Sequence, residues 1–300
     1  MRDLRSPLDG IRSPFGVARG WTPASLFGAG DEGVWFNPSV GGSVFTNTQG
    51  TILATTPGPA GLALDQRYGT LFNGTSFQGT TGGNVILNGT FGTSDNWTLG
   101  TGWDISGGSL NYDGTNAPNI AQPVGTTLES GVIYALEFDL TISQGVLNVR
   151  PNAASVDDSV SFTSGGRVAA VLIGSGEDPG FQAGNFGGRF IGSIDNLTVT
   201  KLPGIHALQR TAAQRPTYNS GPLRLTDDEV DDSLNWDAPA GTYTIARVND
   251  AGTVTIQTGQ ALSGATDIFV EAEIAGYVAI DRALTAGETA KLTAYLEGLV

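Results

Sequence analysis

A hydrolytic Ser-His-Asp site needs a positioned base of moderate pKa, and the chain has one histidine, His206. His206 opens the segment IHALQRTAAQ, which reads as a short helix over about 205–214, stopped before Pro216. That is not a strand end beside a nucleophile elbow, so a surface or packing role is expected. With no cysteine, thiolate metal sites, Cys nucleophiles and disulfides are all removed. Metal chemistry is left to carboxylates, which suit calcium more than zinc. Glycoside hydrolysis asks only for two carboxylates at a set separation, and Asp104, Asp113, Glu129, Glu137, Asp139, Asp157, Asp158 and Glu177 are available. None sits in a motif, and scattered acids on a β-rich chain are usually solvated strand ends. The run Asp227, Asp228, Glu229, Asp231, Asp232 lacks the Asp-x-Asp-x-Asp-Gly order of a calcium loop and reads as an exposed acidic loop. The chain is therefore read as non-enzymatic.

Sugar recognition stacks an aromatic face on a pyranose ring and surrounds it with polar groups. Trp97, Trp103 and Tyr112, with Asn111, Asp113 and Asn116 beside them, are the candidates. Trp97 and Trp103 fall where sandwiches usually bury aromatics, so core is the first reading for both. Tyr112, in the turn-rich SLNYDGTN, is the better ligand candidate. Phe181 and Phe186, in GEDPGFQAGNFGG, are exposed by context and could meet glycan or protein.

The elements that must position these residues are strands. NVILNGTF, GSLNYDG, VIYALEFDLTIS, GVLNVRP, SVSFTS, RVAAVLIGS and GSIDNLTVTKL alternate between apolar and polar, with turn signals at short spacing. They place one antiparallel jelly-roll β-sandwich over 84–202, and Phe91 and Leu197 should share its core. Residues 31–83, with GVWFNPS, TILATT and GLALDQRYGTLF, read as a small β-hairpin module. Residues 203–300 read as a linker helix, a second β section turning near Asn249-Asp250-Ala251-Gly252, and a C-terminal helix. The capping-box spacing of Thr285 and Glu288 and the stripe Leu292, Tyr295, Leu296, Leu299 place that helix at about 286–298. Residues 1–30 carry two Ser-Pro turns and no sustained period, hence an extended arm. Its Phe15, Trp21, Leu26 and Phe27 either dock onto a neighbouring subunit or pack on the chain's own fold.

Composition agrees with a mainly β class: Gly 44, charged residues 15% and apolar residues 39% favour small sandwiches with many turns. A net charge of −14 argues against neutralising nucleic-acid phosphates. No run approaches the ~20 apolar residues that span a bilayer, and MRDLRSPLDG lacks the apolar centre of a signal peptide. The chain is expected to be soluble when made.

NVILNGTFGTSDNWTLGTGWDISGGSLNYDG resembles the opening of carbohydrate-binding modules of the galactose-binding-like jelly-roll group, and GSIDNLTVTKL at 192–202 resembles their closing strand. In such modules a calcium ion commonly ties first strand to last. The resemblance implies a structural calcium at Asp195, while the other expected acid position is Gly92, which offers only backbone oxygen. GVWFNPS with PGPAGLALDQRYG, HALQRTAAQRP at 206–216 and YVAIDRALTAGETAKLTAYL at 277–296 resemble segments of tailed-phage tail, fibre and spike proteins. This implies a structural virion protein at the particle surface, with other virion proteins as partners. The homo-oligomer would be a trimer by analogy, and the sandwich would be turned toward host-surface glycan. The alternatives are a purely architectural subunit and a polysaccharide depolymerase.

Overall fold

The computed structural model describes residues 20–114, 119–151, 159–183, 189–269 and 271–300. The chain is mainly β, with several antiparallel sheets and one C-terminal α-helix.

Alternation in the middle of the sequence becomes a two-sheet sandwich. One sheet runs in the order Gly166–Ile173, Ile133–Gln144, Ile191–Lys201, Ser109–Tyr112, Trp103–Ser106. The other runs Val160–Phe162, Leu147–Arg150, Gly180–Ala183, Asn119–Pro123, Trp97–Leu99. Leu136, Phe138 and Leu140 point inward from the first sheet and meet Leu147, Val149 and Phe181 from the second in one apolar core. Phe91 and Leu197 share that core, as the alternation requires. The opening segment reaches the last strand without forming one itself. Val85 N–H donates to Val199 O at 2.8 Å and Leu197 N–H to Gly89 O at 2.9 Å. The Asn84 amide bridges Leu197 O and Val199 N–H at 2.9 and 2.8 Å. A side chain thus takes the place of backbone pairing where the chain enters the sandwich.

Residues 31–83 do not close on themselves as a separate module. Gly33–Phe36 pairs with Gly276–Ile280, and Leu62–Ala63 pairs with Val44–Phe45 on one side and Ala207–Leu208 on the other. These strands complete a seven-stranded sheet with the hairpin Asn235–Val248 and Val254–Asp267, which turns at Asn249–Gly252. One face of this sheet is covered by the helix Ala286–Glu297, packed through Leu292 and Leu296. The capping box expected from Thr285 and Glu288 is formed in both directions. The other face packs on a four-stranded sheet of Glu273–Ile274, Arg224–Thr226, Thr217–Asn219 and Gly58–Pro59.

Two further expectations are corrected. Instead of a helix at 205–214 there is a two-residue strand, Ala207–Leu208, and a single 3-10 turn, Ala212–Gln214. The strand links Leu62–Ala63 to Asn235, and that pairing outweighs a weak local helical preference. Trp21, Leu26 and Phe27 do not project as an arm: they pack on Trp35, Leu292 and Tyr295, because the helix leaves an apolar margin that these residues cover. Phe15 lies outside the described residues.

Candidate functional site

The aromatics singled out for sugar binding are core residues. Tyr112 is 2% exposed, with its ring 5.0 Å from Trp103 and stacked on Phe190 at 6.4 Å. Trp97 lies between Phe91 and Phe181, at 5.3 and 5.8 Å. Leu110 and Tyr112 are two apart on one strand and so point to the same inner face. Asn111, between them, points out and donates to Ser106 O and Ser109 O at 3.1 and 3.0 Å, bracing its own hairpin. Asp113 is exposed at the strand's end, and Phe181 is buried in the core rather than displayed on a loop. Asn116, Phe186, Asp157 and Asp158 lie outside the described residues.

The same alternation makes the outer face of the second sandwich sheet polar. Leu147 and Val149 point into the core, so Asn148 and Arg150 stand on the opposite face. Asn148 is 1% exposed and Arg150 is buried beside it. The Ser161 hydroxyl donates to Asn148 Oδ1 at 2.6 Å, whereas Asn148 Nδ2 has no hydrogen-bond partner among the described residues. Strand register places Gly180 beside Arg150, while Gln122 and Thr98 form the next pair on the same face. Gln122 donates to Asp178 O at 3.4 Å. A buried amide with one side satisfied and two donor hydrogens unspent is unusual, because such groups normally find partners. A ligand rich in acceptor oxygens would match these donors, but at 1% exposure the amide is reached only where its cover moves aside. The signal was present in the sequence as LNVR, where apolar and polar residues alternate.

The carboxylates divide by position. Arg167 bridges Glu137 at 3.1 Å and Asp139 at 3.5 Å, and Asn196 Nδ2 donates to Asp139 at 2.7 Å. Asp195 Oδ1 accepts the Asn196 N–H at 2.6 Å, and Asp195 belongs to no group of three convergent ligating side chains among the described residues. Convergence occurs instead at Asp227, Asp228 and Asp232, whose ligand atoms lie within 4.8 Å of one another. Asp228 Oδ1 already accepts the N–H groups of Val230, Asp231 and Asp232, chiefly that of Val230, which holds its carboxyl below the usual range. Burial, then the neighbouring Asp228, raises that of Asp232.

His206 is buried, and its Nδ1 accepts the Asp65 N–H at 3.0 Å. Burial pushes the imidazole down to about 4. The nitrogen that would take a proton from a nucleophile is thus occupied. His206 also helps line a cleft of about 550 Å3 between Ser130–Ile133 and Asn235–Asp237. Some polar groups around that cleft are matched internally: Gln209 and Asn235 both bond Ser233, and Lys201 pairs with Glu129 at 3.4 Å, whereas His206 Nε2 and Trp236 Nε1 are buried without a hydrogen-bond partner among the described residues.

No helix among the described residues is long and apolar enough to cross a membrane. Comparison of the sequence with protein-family models and with curated proteins finds no match.

Proposed function

We propose that this chain is a non-enzymatic structural and adhesive protein of a tailed-phage particle, whose sandwich engages host-surface glycan. The sugar would bind through the outer polar face of the second sheet rather than through Tyr112. The observation that carries the reading is the buried Asn148 amide, with Nδ2 unspent beside Arg150 and Ser161. A sugar offers ring and hydroxyl oxygens as acceptors, which is what such a face lacks. The non-enzymatic part of the reading rests on His206, whose acceptor nitrogen is engaged by Asp65. Placement on the particle rests on the sequence resemblance alone.

The test is a glycan array probed with the full chain, repeated with Asn148→Ala. Binding to a defined glycan class that weakens about tenfold or more in the variant, with melting unchanged, supports the reading. Absence of binding across host-surface glycans would favour the architectural subunit. Release of reducing sugar would favour a depolymerase.

A further inference from the structure

The sequence Asn-Gly-Thr occurs at Asn73–Thr75 and again at Asn88–Thr90. In an Asn-Gly pair the glycine N can close on the asparagine Cγ, because the glycine has no Cβ in the way and its backbone turns freely. Both sites carry the same local chemistry, so the fold decides which of them reacts.

Asn73 and Gly74 are exposed at the tip of the hairpin that joins Leu71–Phe72 to Phe77–Gln78. Asn73 Oδ1 accepts the N–H groups of Thr75 and Ser76, both at 3.0 Å, and the Thr75 hydroxyl at 3.1 Å. These donors draw electrons from Cγ and stand ready for the negative charge that builds on Oδ1 when Cγ is attacked. Asn73 Nδ2, which would leave, and the Gly74 N–H, which would attack, have no hydrogen-bond partner among the described residues. A Cβ built on Gly74 would meet nothing within 4 Å, so the chain there has room to turn. Asn88–Gly89 is held in the opposite way. Asn88 Nδ2 donates to Thr93 O at 2.6 Å and to Asp95 O at 3.2 Å, which pins the amide that would have to leave. Gly89 is buried, its O accepts the Leu197 N–H at 2.9 Å, and a Cβ there would lie 2.1 Å from Leu197 O. Against the closing strand of the sandwich, ring closure has no room.

We propose that Asn73 is a self-modification site, where the Asn73–Gly74 pair cyclises and loses its amide while Asn88–Gly89 is preserved by the fold. Gly74 N bonds to Asn73 Cγ, the Cγ–Nδ2 bond breaks, and the amide nitrogen leaves as ammonia with the proton given up by Gly74 N. One water then opens the five-membered imide at either carbonyl, giving aspartate or isoaspartate. Either product places a new carboxylate on the hairpin tip. Isoaspartate also adds a methylene to the main chain of a hairpin whose Phe72 and Phe77 rings pack on Phe45 at 6.0 and 5.9 Å. Nothing in this chemistry depends on glycan binding.

The experiment incubates the full chain at neutral pH, folded and separately unfolded in denaturant, and follows both sites by peptide mass mapping with isoaspartate detection. Unfolded, the two Asn-Gly-Thr sites share their reacting residues and set the reference rate for each. Folded, Asn73 should react at least as fast as it does unfolded, and Asn88 about tenfold or more slowly than Asn73, with isoaspartate among the Asn73 products. A folded Asn73 that reacts more slowly than its unfolded counterpart overturns the proposal, because the turn would then protect the amide. Equal rates at the two folded sites overturn it as well. Aspartate without isoaspartate would report direct hydrolysis of the amide and rule out attack by Gly74.

Discussion

His206 Nδ1 and the backbone N–H of Asp65 are joined by a 3.0 Å hydrogen bond across 141 residues of sequence. Around it, Asp65 accepts from Trp35 N–H at 3.2 Å and Ile205 N–H at 3.1 Å and pairs with Arg67 at 2.8 Å. The only histidine is thus a structural acceptor. It ties the start of the C-terminal part to the segment that crosses from the seven-stranded sheet toward the sandwich.

This bond makes stability depend on acid. With the folded imidazole at about 4 and the unfolded one near 6.5, the unfolded chain binds the extra proton between those values. Stability from His206 is present above pH 6.5 and is lost as pH falls toward 4, by at most about 3 kcal/mol. Burial raises the Asp65 carboxyl, so that group acts in the opposite direction, stabilising as it protonates. His206→Asn keeps an acceptor near the Nδ1 position and removes the titration. Denaturant unfolding from pH 7 to 4 should therefore fall less steeply in the variant than in the parent chain, and equal slopes would contradict the assignment.

Tyr112 provides a second measurement. Its hydroxyl is buried without a partner among the described residues, while its ring fills the space between Trp103 and Phe190. Tyr112→Phe removes only the unsatisfied oxygen and should leave stability unchanged or raise it by about 1 kcal/mol. Tyr112→Ala should cost about 3–5 kcal/mol through the cavity it leaves. Thermal melting distinguishes this from a surface role, in which both variants would melt like the parent.

The sandwich was legible in the sequence because long strands repeat the two-residue period often enough to reveal it, as Leu136, Phe138 and Leu140 do. The C-terminal helix was legible because Thr285 and Glu288 carry its start chemically. Strands such as Val44–Phe45, Leu62–Ala63 and Ala207–Leu208 are two residues long and show no period. Their partners lie far away in the chain, so 31–83 read as self-contained. Tyr112 was misplaced because YDG reads as a turn, although its spacing from Leu110 already put both on one face. The same logic applied to LNVR would have turned Asn148 and Arg150 outward.

Leu26 tests the reassigned N-terminal segment. It is 3% exposed and packs in the cluster with Trp35, Leu292 and Leu296. Leu26→Ala should destabilise the purified chain by about 2–5 kcal/mol in the absence of any other particle protein. An unchanged melting temperature would return Leu26 to a docking role.

Phe45 tests whether the sandwich and the seven-stranded sheet unfold together. It is fully buried, with Phe72 and Phe77 at 6.0 and 5.9 Å, in a cluster that also holds Ile133, Ala135 and Val171 from the sandwich and Leu62 and Leu64 from the other side. Backbone bonds reinforce the junction: Val171 N–H donates to Gln49 O at 2.6 Å, and Phe77 N–H to a Glu137 carboxylate oxygen at 2.8 Å. A strand with apolar residues on both faces, Ile133–Gln144, belongs to both cores at once. Removing the Phe45 ring should cost about 3–5 kcal/mol, enough to displace one cooperative transition as a whole. Phe45→Ala should therefore shift near-ultraviolet dichroism and calorimetric melting by the same amount and leave a single transition. Two separated transitions in the parent chain, with only one moved by Phe45→Ala, would show that the two parts fold independently and that the shared strand does not couple them.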